Sequence, residues 1–243
     1  MDIKPKVTVG PSPKSAPIGA SVDIGQAFSY LTADPQWMSK VVVIGLVSLV
    51  PVVGYVVLLG WMREVFERAK KGQRELPGLD FGSQLSKGFA PLVALAGPML
   101  IIVFVMFILQ LLLLAFGIFA GALADTNIAA IVNIFGGVLA MLGMLGAAVM
   151  MFVLTLVMPE LLRRGMRGEM MPILSPRASI VAVKNNASGY MMLFVGGFVF
   201  NMISQLGVFL CFLGVFLTMP LALVGMSHLL AQWDRLVGDP QAA

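Results

Sequence analysis

Charged residues, cysteine and histidine are all scarce in this chain of 243 residues. Only 12% of the residues are charged, against roughly 25% in an ordinary soluble domain. Between Lys87 and Glu160 the only charged residue is Asp125, and no charged residue lies between Lys184 and Asp234. A soluble domain needs far more polar surface than this, so the composition favours an all-helical integral membrane bundle.

The single cysteine and the single histidine exclude several kinds of site. Cys211 has no partner for an intramolecular disulfide, and His228 is interpreted as an interfacial residue near the end of the last apolar run. No nucleophile and base are spaced to form a catalytic pair, so we expect no enzyme activity, no cofactor and no metal. The net charge of +4 is local, which favours membrane lipids over nucleic acid as partners.

Long apolar runs define the predicted domain. Residues 1–20 hold four prolines among lysine and serine and are predicted to be a flexible tail. Apolar spacing from Ile24 to Leu31, after Asp23 as an N-cap, predicts a short amphipathic helix in the membrane interface. The membrane domain is predicted over residues 21–233, followed by a short polar tail at 234–243. Its five segments are expected near residues 41–60, 89–122, 128–158, 190–206 and 208–230, with the last apolar run divided near Gln205 to Gly207.

The first segment leaves two topologies open. Pro51 and Gly54 at its middle allow either a kinked spanning helix or a re-entrant hairpin. Loops 61–87 and 159–189 are rich in lysine and arginine, whereas the turn at 124–127 has none, so both loops are expected in the cytoplasm. Five simple spans would place the lysine-bearing N-terminus outside, in mild conflict with this rule, and a re-entrant first segment removes the conflict.

The first of these loops begins as a charged helix, WMREVFERAKK. Glu64 and Arg68, and likewise Glu67 and Lys71, are spaced i, i+4 in the favourable order, which predicts a solvated helical stem. An acid–base role for its carboxylates, including Asp80, has no support from spacing. Contact with anionic lipid or with a partner is expected instead for the basic residues of both loops: Arg63, Arg68, Lys70, Lys71, Arg74, Arg163, Arg164 and Arg167.

Two further patterns lie within the apolar segments. Small residues share one face of the third segment and predict a packing seam, either within the protein or between copies: Gly136, Ala140, Gly143 and Ala147. Asn201, Ser204 and Gln205 share a face of the fourth segment and are expected to point inward, where Gln110 or Asn133 could bond them.

The two basic loops also suggest a weak internal repeat. In each, a basic helix end is followed by glycine, then proline, then lysine. The first copy runs through Arg63, Gly72, Pro77 and Lys87, and the second through Arg163, Gly168, Pro172 and Lys184.

The stretches FSYLTADPQWMSK, GWMREVFERAKKGQRELPGLDFGSQLSKGF and CFLGVFLTMPLALVGMSHLLAQ resemble the prokaryotic polytopic membrane proteins grouped as domain of unknown function family 4013. The matching positions are Asp34, Trp37, Gly60, Trp61, Arg63, Leu76, Pro77, Asp80, Phe81, Lys87, Gly88, Ser227, His228 and Gln232, although the family often has tyrosine in place of Trp61. The resemblance implies a multi-pass protein of a bacterial or archaeal cell membrane and no established activity.

Two functions are consistent with these patterns. The first is a non-enzymatic membrane-organising, scaffold or accessory subunit that packs with itself or with another membrane complex. The alternative is a transporter or lipid-handling protein with a polar site between helices, lined by Asn201, Ser204, Gln205 and Gln110. A cavity lined by those residues would favour the alternative, whereas an extended apolar contact surface would favour the subunit.

Overall fold

A computed structural model describes residues 21–122, 127–209 and 214–238. The helices in these ranges are α1 (Ile24–Leu31), α2 (Trp37–Val47), α3 (Val53–Lys70), α4 (Phe81–Ala122), α5 (Asn127–Met166), α6 (Pro176–Asn185), α7 (Ala187–Phe209) and α8 (Val215–Val237). A 3-10 turn lies at Pro172–Leu174. The tail predicted at 1–20, Asp125 and Cys211 lie outside the described residues.

Four helices in the described part of the chain are long and apolar enough to cross a membrane. They are Phe81–Ala122, Ala130–Met166, Ala187–Phe209 and Val215–Val237, and Trp37–Val47 is a shorter apolar helix. This arrangement confirms the helical membrane bundle that the composition predicts. Two of the long helices begin or end well outside their predicted segments, since α4 starts at Phe81 and α5 continues to Met166.

The first apolar segment, predicted at 41–60, is not one helix. Residues 48–52 form a turn between α2 and α3, and Val52 has a φ of 63°. That left-handed value is unfavourable for a β-branched residue and is incompatible with a continuous helix. Gly54 permits the tight return of the chain, because a Cβ at this position would lie 2.1 Å from the carbonyl oxygen of Val47.

Helices α2 and α3 form a hairpin, so that the start of α2 lies beside the end of α3. The Asp34 carboxylate, just before α2, accepts a hydrogen bond from the amide of Leu76, just beyond α3. The end of α2 approaches the start of α8, where a Cβ on Gly45 would meet the Phe216 carbonyl oxygen. Lys70, at the end of α3, instead pairs with Asp234 near the end of α8. Chain directions therefore agree with the re-entrant alternative rather than with five simple spans.

Reciprocal glycine contacts bring α3 and α4 together. A Cβ on Gly60 would lie 1.8 Å from the carbonyl oxygen of Gln84, and a Cβ on Gly88 would lie 1.9 Å from that of Val56. Since no side chain fits in either gap, both positions need glycine for the backbones to touch. Residues 81–88 are thus the first two turns of α4.

The main hydrophobic core joins α1, α2, α3, α7 and α8 with the start of α4 and the end of α5. Trp61, Phe66, Phe200 and Trp233 are its largest apolar side chains. The face of α1 that holds Ala27 and Tyr30 is buried in this core. The apolar face of α1 therefore packs largely on protein.

The α4–α5 hairpin extends away from this core. The main core includes Leu95 and Leu162 but no described residue between them, and a smaller cluster centres on Ile102, Leu154 and Leu161. We call residues 96–122 and 127–158 the arm. Its α4 portion is about 40 Å long at 1.5 Å per residue, enough to cross a bilayer, and most of its large apolar side chains are exposed.

The break between the last two spans lies later than predicted. α7 continues to Phe209 and α8 starts at Val215, whereas the sequence suggested a division near Gln205 to Gly207. Gly207 does not break the helix but allows close packing, because a Cβ there would lie 2.2 Å from Oγ1 of Thr218. α8 also runs to Val237 and buries Asp234, so the folded domain extends past residue 233.

The two basic loops, which we call the first elbow (61–87) and the second elbow (159–189), contain the same helix cap. Gly72 and Gly168 have φ values of 73° and 99°. In each case the amide of the next residue donates to the carbonyl five positions earlier, Gln73 to Arg68 and Glu169 to Arg164. This is the Schellman arrangement that ends a helix with glycine. Beyond the caps the copies differ, since α4 is continuous while α6 and α7 are separated at Asn186.

Candidate functional site

A buried ion cluster joins the ends of α3, α5 and α8. The guanidinium of Arg163 contacts both Glu160 oxygens, with Nε 2.8 Å from Oε2 and Nη2 2.7 Å from Oε1. Its Nη1 lies 2.6 Å from Oδ1 of Asp234. The same Oδ1 accepts from Nε of Arg167 at 2.5 Å, and Nζ of Lys70 lies 2.6 Å from Oδ2.

Every carboxylate oxygen in this cluster has a cationic partner. Trp233 adds a further donor, since its Nε1 lies 2.8 Å from Oε2 of Glu160. Arg163, Glu160 and Asp234 are almost fully buried, and charges placed at that depth need this degree of pairing. The geometry suits a clasp between three helix ends, because cations from α3 and from the end of α5 are held by carboxylates of α5 and α8.

Arg164 organises the neighbouring elbow. Its Nη1 donates to the carbonyl oxygens of Pro172 and Ser175 and to Oγ of Ser179, and its Nε donates to Glu169. These contacts position the 3-10 turn and α6 beneath the end of α5. Arg163 and Arg164 are therefore buried structural residues, and the expectation that they contact anionic lipid or a partner is wrong for both.

A second polar node fixes the open end of the α2–α3 hairpin. Asp34 accepts from the amides of Gln36 at 2.8 Å and Leu76 at 2.9 Å, and Lys40 contacts it at 2.7 Å. Burial alone would raise the pKa of the Asp34 carboxyl, but the hydrogen bonds from Lys40 and the two amides outweigh it and hold that pKa below its ordinary value. Lys40 also donates to the Leu76 carbonyl oxygen, which closes the node.

The charged helix that follows Trp61 is tied to the elbow and to α4. Trp61 is fully buried and donates from Nε1 to the Pro77 carbonyl oxygen at 2.9 Å. Glu64 contacts Lys87 at 2.7 Å, and Glu67 contacts Arg63 at 3.2 Å. The predicted pairs of Glu64 with Arg68 and of Glu67 with Lys71 do not form, because Glu64 is paired with Lys87 of α4 and Glu67 with Arg63.

An open groove lies beside this helix. Its volume is about 410 Å³, and its lining carries charges of both signs: Glu64, Glu67, Arg68, Lys71, Gln73, Pro77, Gly78, Leu79, Asp80 and Lys87. Five of these residues have side chains with internal partners, namely Glu64, Glu67, Arg68, Asp80 and Lys87. Asp80 caps α4 by accepting from the amide of Ser83. The groove is thus mainly the solvated side of a helix junction.

The predicted small-residue seam faces α4 of the same chain. Gly136, Ala140, Gly143 and Ala147 are all half-buried, and a Cβ on Gly143 would lie 2.4 Å from Cδ2 of Leu109. The seam therefore packs within the arm, although at Gly136 a Cβ would meet no described atom within 4 Å.

The predicted polar face does not assemble. Asn201 and Gln205 are exposed on the chain, so the expectation that they point inward is wrong for both, and Gln110 and Asn133, their suggested partners, are exposed as well. Ser204 is half-buried and its carbonyl oxygen accepts from Thr218. In an almost wholly apolar helix, few polar residues indicate which face is buried. The packing of the larger side chains then determines how the helix is rotated about its axis.

His228 lies inside the bundle rather than at an exposed interface. It is 7% exposed, its ring centroid lies 4.6 Å from that of Tyr30, and its Nδ1 lies 3.0 Å from Nε2 of Gln232. Gln232 in turn bonds the backbone of Asp23. The histidine thus belongs to the contact that holds α1 against α8.

Several of these residues were not identified from the sequence. They include Glu160, Trp233 and Asp234. The one signal for the two acids was the return of charge straight after long uncharged runs.

The predicted lipid-contacting residues that remain on the surface include Lys71 and Arg74, whereas Arg63 and Arg68 are half-buried.

Comparison with known proteins places most of the chain in one family. The model of the family described as protein of unknown function (DUF4013) matches residues 43–213. No curated protein and no solved structure matches the chain.

Proposed function

The chain belongs to the DUF4013 family of proteins of unknown function, and we propose that it is a non-enzymatic membrane scaffold subunit that packs against copies of itself through the arm. The charged end is the base of this subunit, and we assign it to the cytoplasmic face because the basic loops gather there. At that face Lys71 and Arg74 are available for anionic lipid.

Exposed apolar side chains on the arm do not by themselves support self-association. Lipid tails solvate leucine and phenylalanine as well as another helix does, so such surfaces need no protein partner. A different kind of residue must distinguish a contact face from a lipid face.

Gln110 is a polar residue on the arm, and it is the main support for contact between copies. It lies midway along the α4 portion of the arm and is exposed, and its side chain has no hydrogen-bond partner among the described residues. An amide at this depth faces hydrocarbon that can neither donate nor accept. A second copy related by a two-fold axis would present its own Gln110, so that the two amides could bond each other.

The surroundings of Gln110 suit such a contact. Phe107 and Leu114, one turn before and after it, are both well exposed and continue the same face of α4. The seam on α5 is already occupied by Leu109 within the chain. We therefore assign the contact between copies to the outer face of α4 rather than to the small-residue seam.

A transporter or lipid-handling role has less support. The groove is lined by residues between Glu64 and Lys87 at the charged end, and its lining includes none of Gln110, Asn201, Ser204 and Gln205. Of these residues, Gln110, Asn201 and Gln205 are instead exposed on outer surfaces.

Cysteine cross-linking in membranes tests the proposal. In a Cys211→Ser background, Leu114→Cys should form a covalent dimer with a short bis-maleimide, whereas Phe198→Cys, an equally exposed position on α7, should not. Adding Gln110→Leu to the Leu114→Cys protein should abolish the dimer. Equal cross-linking at both positions, or a dimer unaffected by Gln110→Leu, would refute the proposed contact.

A further inference from the structure

The second elbow carries exposed apolar side chains outside the four spanning helices. Met170, Met171, Leu174, Ile180 and Val181 are each more than half exposed. They lie between the end of α5 and the start of α7. Five such side chains close together are unfavourable in a loop that faces water, whereas a segment lying on a bilayer can insert them into the apolar layer.

The orientation of α6 separates two faces. Ser179 and Ala182 are buried, and Ser179 is held by Arg164. The opposite face presents Arg177, Ile180, Val181 and Lys184, all exposed. These positions follow helical spacing, so two apolar residues are flanked by two cations on one outward face.

The charge of this segment has one sign. Residues 170–189 contain arginine and lysine but no aspartate or glutamate. The nearest acid, Glu169, is already paired with Arg164 at 2.5 Å. An apolar face flanked by unopposed cations complements a layer of anionic headgroups above hydrocarbon.

The position in the fold fits the same surface. α7, a candidate span, begins at Ala187, two residues after α6 ends. α6 therefore lies where the chain enters the bilayer, at the same end as the buried ion cluster. We propose that residues 170–184 form an interfacial anchor, with the apolar side chains inserted and Arg177 and Lys184 bound to the phosphates of anionic lipid.

A fluorescence experiment on the full chain tests this anchor independently of self-association. The protein with Cys211→Ser and Ile180→Cys is labelled with an environment-sensitive dye and reconstituted into vesicles of zwitterionic lipid, with or without anionic lipid. Quenching by aqueous acrylamide should be about twofold weaker in the anionic vesicles. The double variant Arg177→Gln, Lys184→Gln should lose that difference.

A matched variant separates local binding from net charge. Lys71→Gln with Arg74→Gln removes two exposed cations from the other elbow and should leave quenching at residue 180 unchanged. Equal effects of both double variants, or full quenching in every vesicle, would overturn the anchor. Protection of residue 180 in native membranes but not in vesicles would also overturn it, because a protein partner would then cover this face.

Discussion

The Arg163 guanidinium and the Asp234 carboxylate lie 2.6 Å apart although 71 positions separate them in the sequence. This pair fastens the end of α5 to the end of α8, and Lys70 brings in α3 through the same carboxylate. The charges that follow the apolar runs therefore serve to join helix ends as well as to mark the membrane surface.

Removing the Asp234 charge should loosen this clasp. Asp234→Asn leaves Arg163, Arg167 and Lys70 without that counter-charge in a buried site, and breaking such a pair costs about 3–5 kcal/mol. Thermal unfolding in detergent should show a clear fall in melting temperature. Glu75→Gln removes the same charge from an exposed residue and should change the melting temperature little, so equal losses from both variants would contradict the clasp.

Glycine at position 88 should be required for the α3–α4 crossing. Gly88→Ala places a Cβ against the Val56 carbonyl oxygen, and relieving that overlap should cost about 1–3 kcal/mol or more. Gly97 lies in the same helix with no described atom within 4 Å of a Cβ. Gly97→Ala should therefore be neutral or stabilising by about 0.5–1 kcal/mol. If chemical unfolding showed equal destabilisation by Gly88→Ala and Gly97→Ala, the backbones of α3 and α4 would not be in close contact at Gly88.

The Asp34 node should make stability depend on pH in a defined direction. Its folded pKa is below the ordinary value, so the stabilisation is fully present above about pH 4, the unfolded value, and is lost as pH falls through the folded pKa. Asp34→Asn should be less stable than the native chain by about 2 kcal/mol at pH 7. Melting curves from pH 7 to pH 3 should show the two proteins converging at the acid end, and a constant difference would argue against the ionised node.

The hairpin topology should place α1 and the first elbow on one side of the membrane. Ser29 and Glu75 are both exposed near the open end of the hairpin. As single cysteines in the Cys211→Ser background, both should react with a membrane-impermeant maleimide from the same side of sealed vesicles. Labelling from opposite sides would restore α2 and α3 as a spanning segment.

Part of this structure follows from local sequence. Glycine after a basic helix end predicts the caps at Gly72 and Gly168, and Pro51 with Gly54 marks the place where the first segment turns. Each signal acts within a few residues, so it can be recognised without knowing the fold.

The remaining features depend on contacts that are distant in sequence. In the sequence Glu160 is indistinguishable from an exposed acid, because its partners Arg163 and Trp233 are identified only in the folded structure. Glu64 has a suitable partner four residues later in Arg68, but in the structure it pairs with Lys87 of α4. The sequence does not predict which faces of the arm helices are exposed either, because nearly every residue around Gln110 is apolar. The same lack of contrast explains why the sequence does not predict the end of α7, which continues past Gly207.

Native mass spectrometry of the protein in lipid nanodiscs measures self-association through the arm directly. We expect a dimer for the native chain across a range of protein concentrations, a monomer for Gln110→Leu, and a dimer for Gln205→Leu, which removes an exposed amide from α7 instead of the arm. A native chain that remains monomeric at every concentration, or a Gln110→Leu variant that dimerises as well as the native chain, would show that the arm does not join two copies through Gln110.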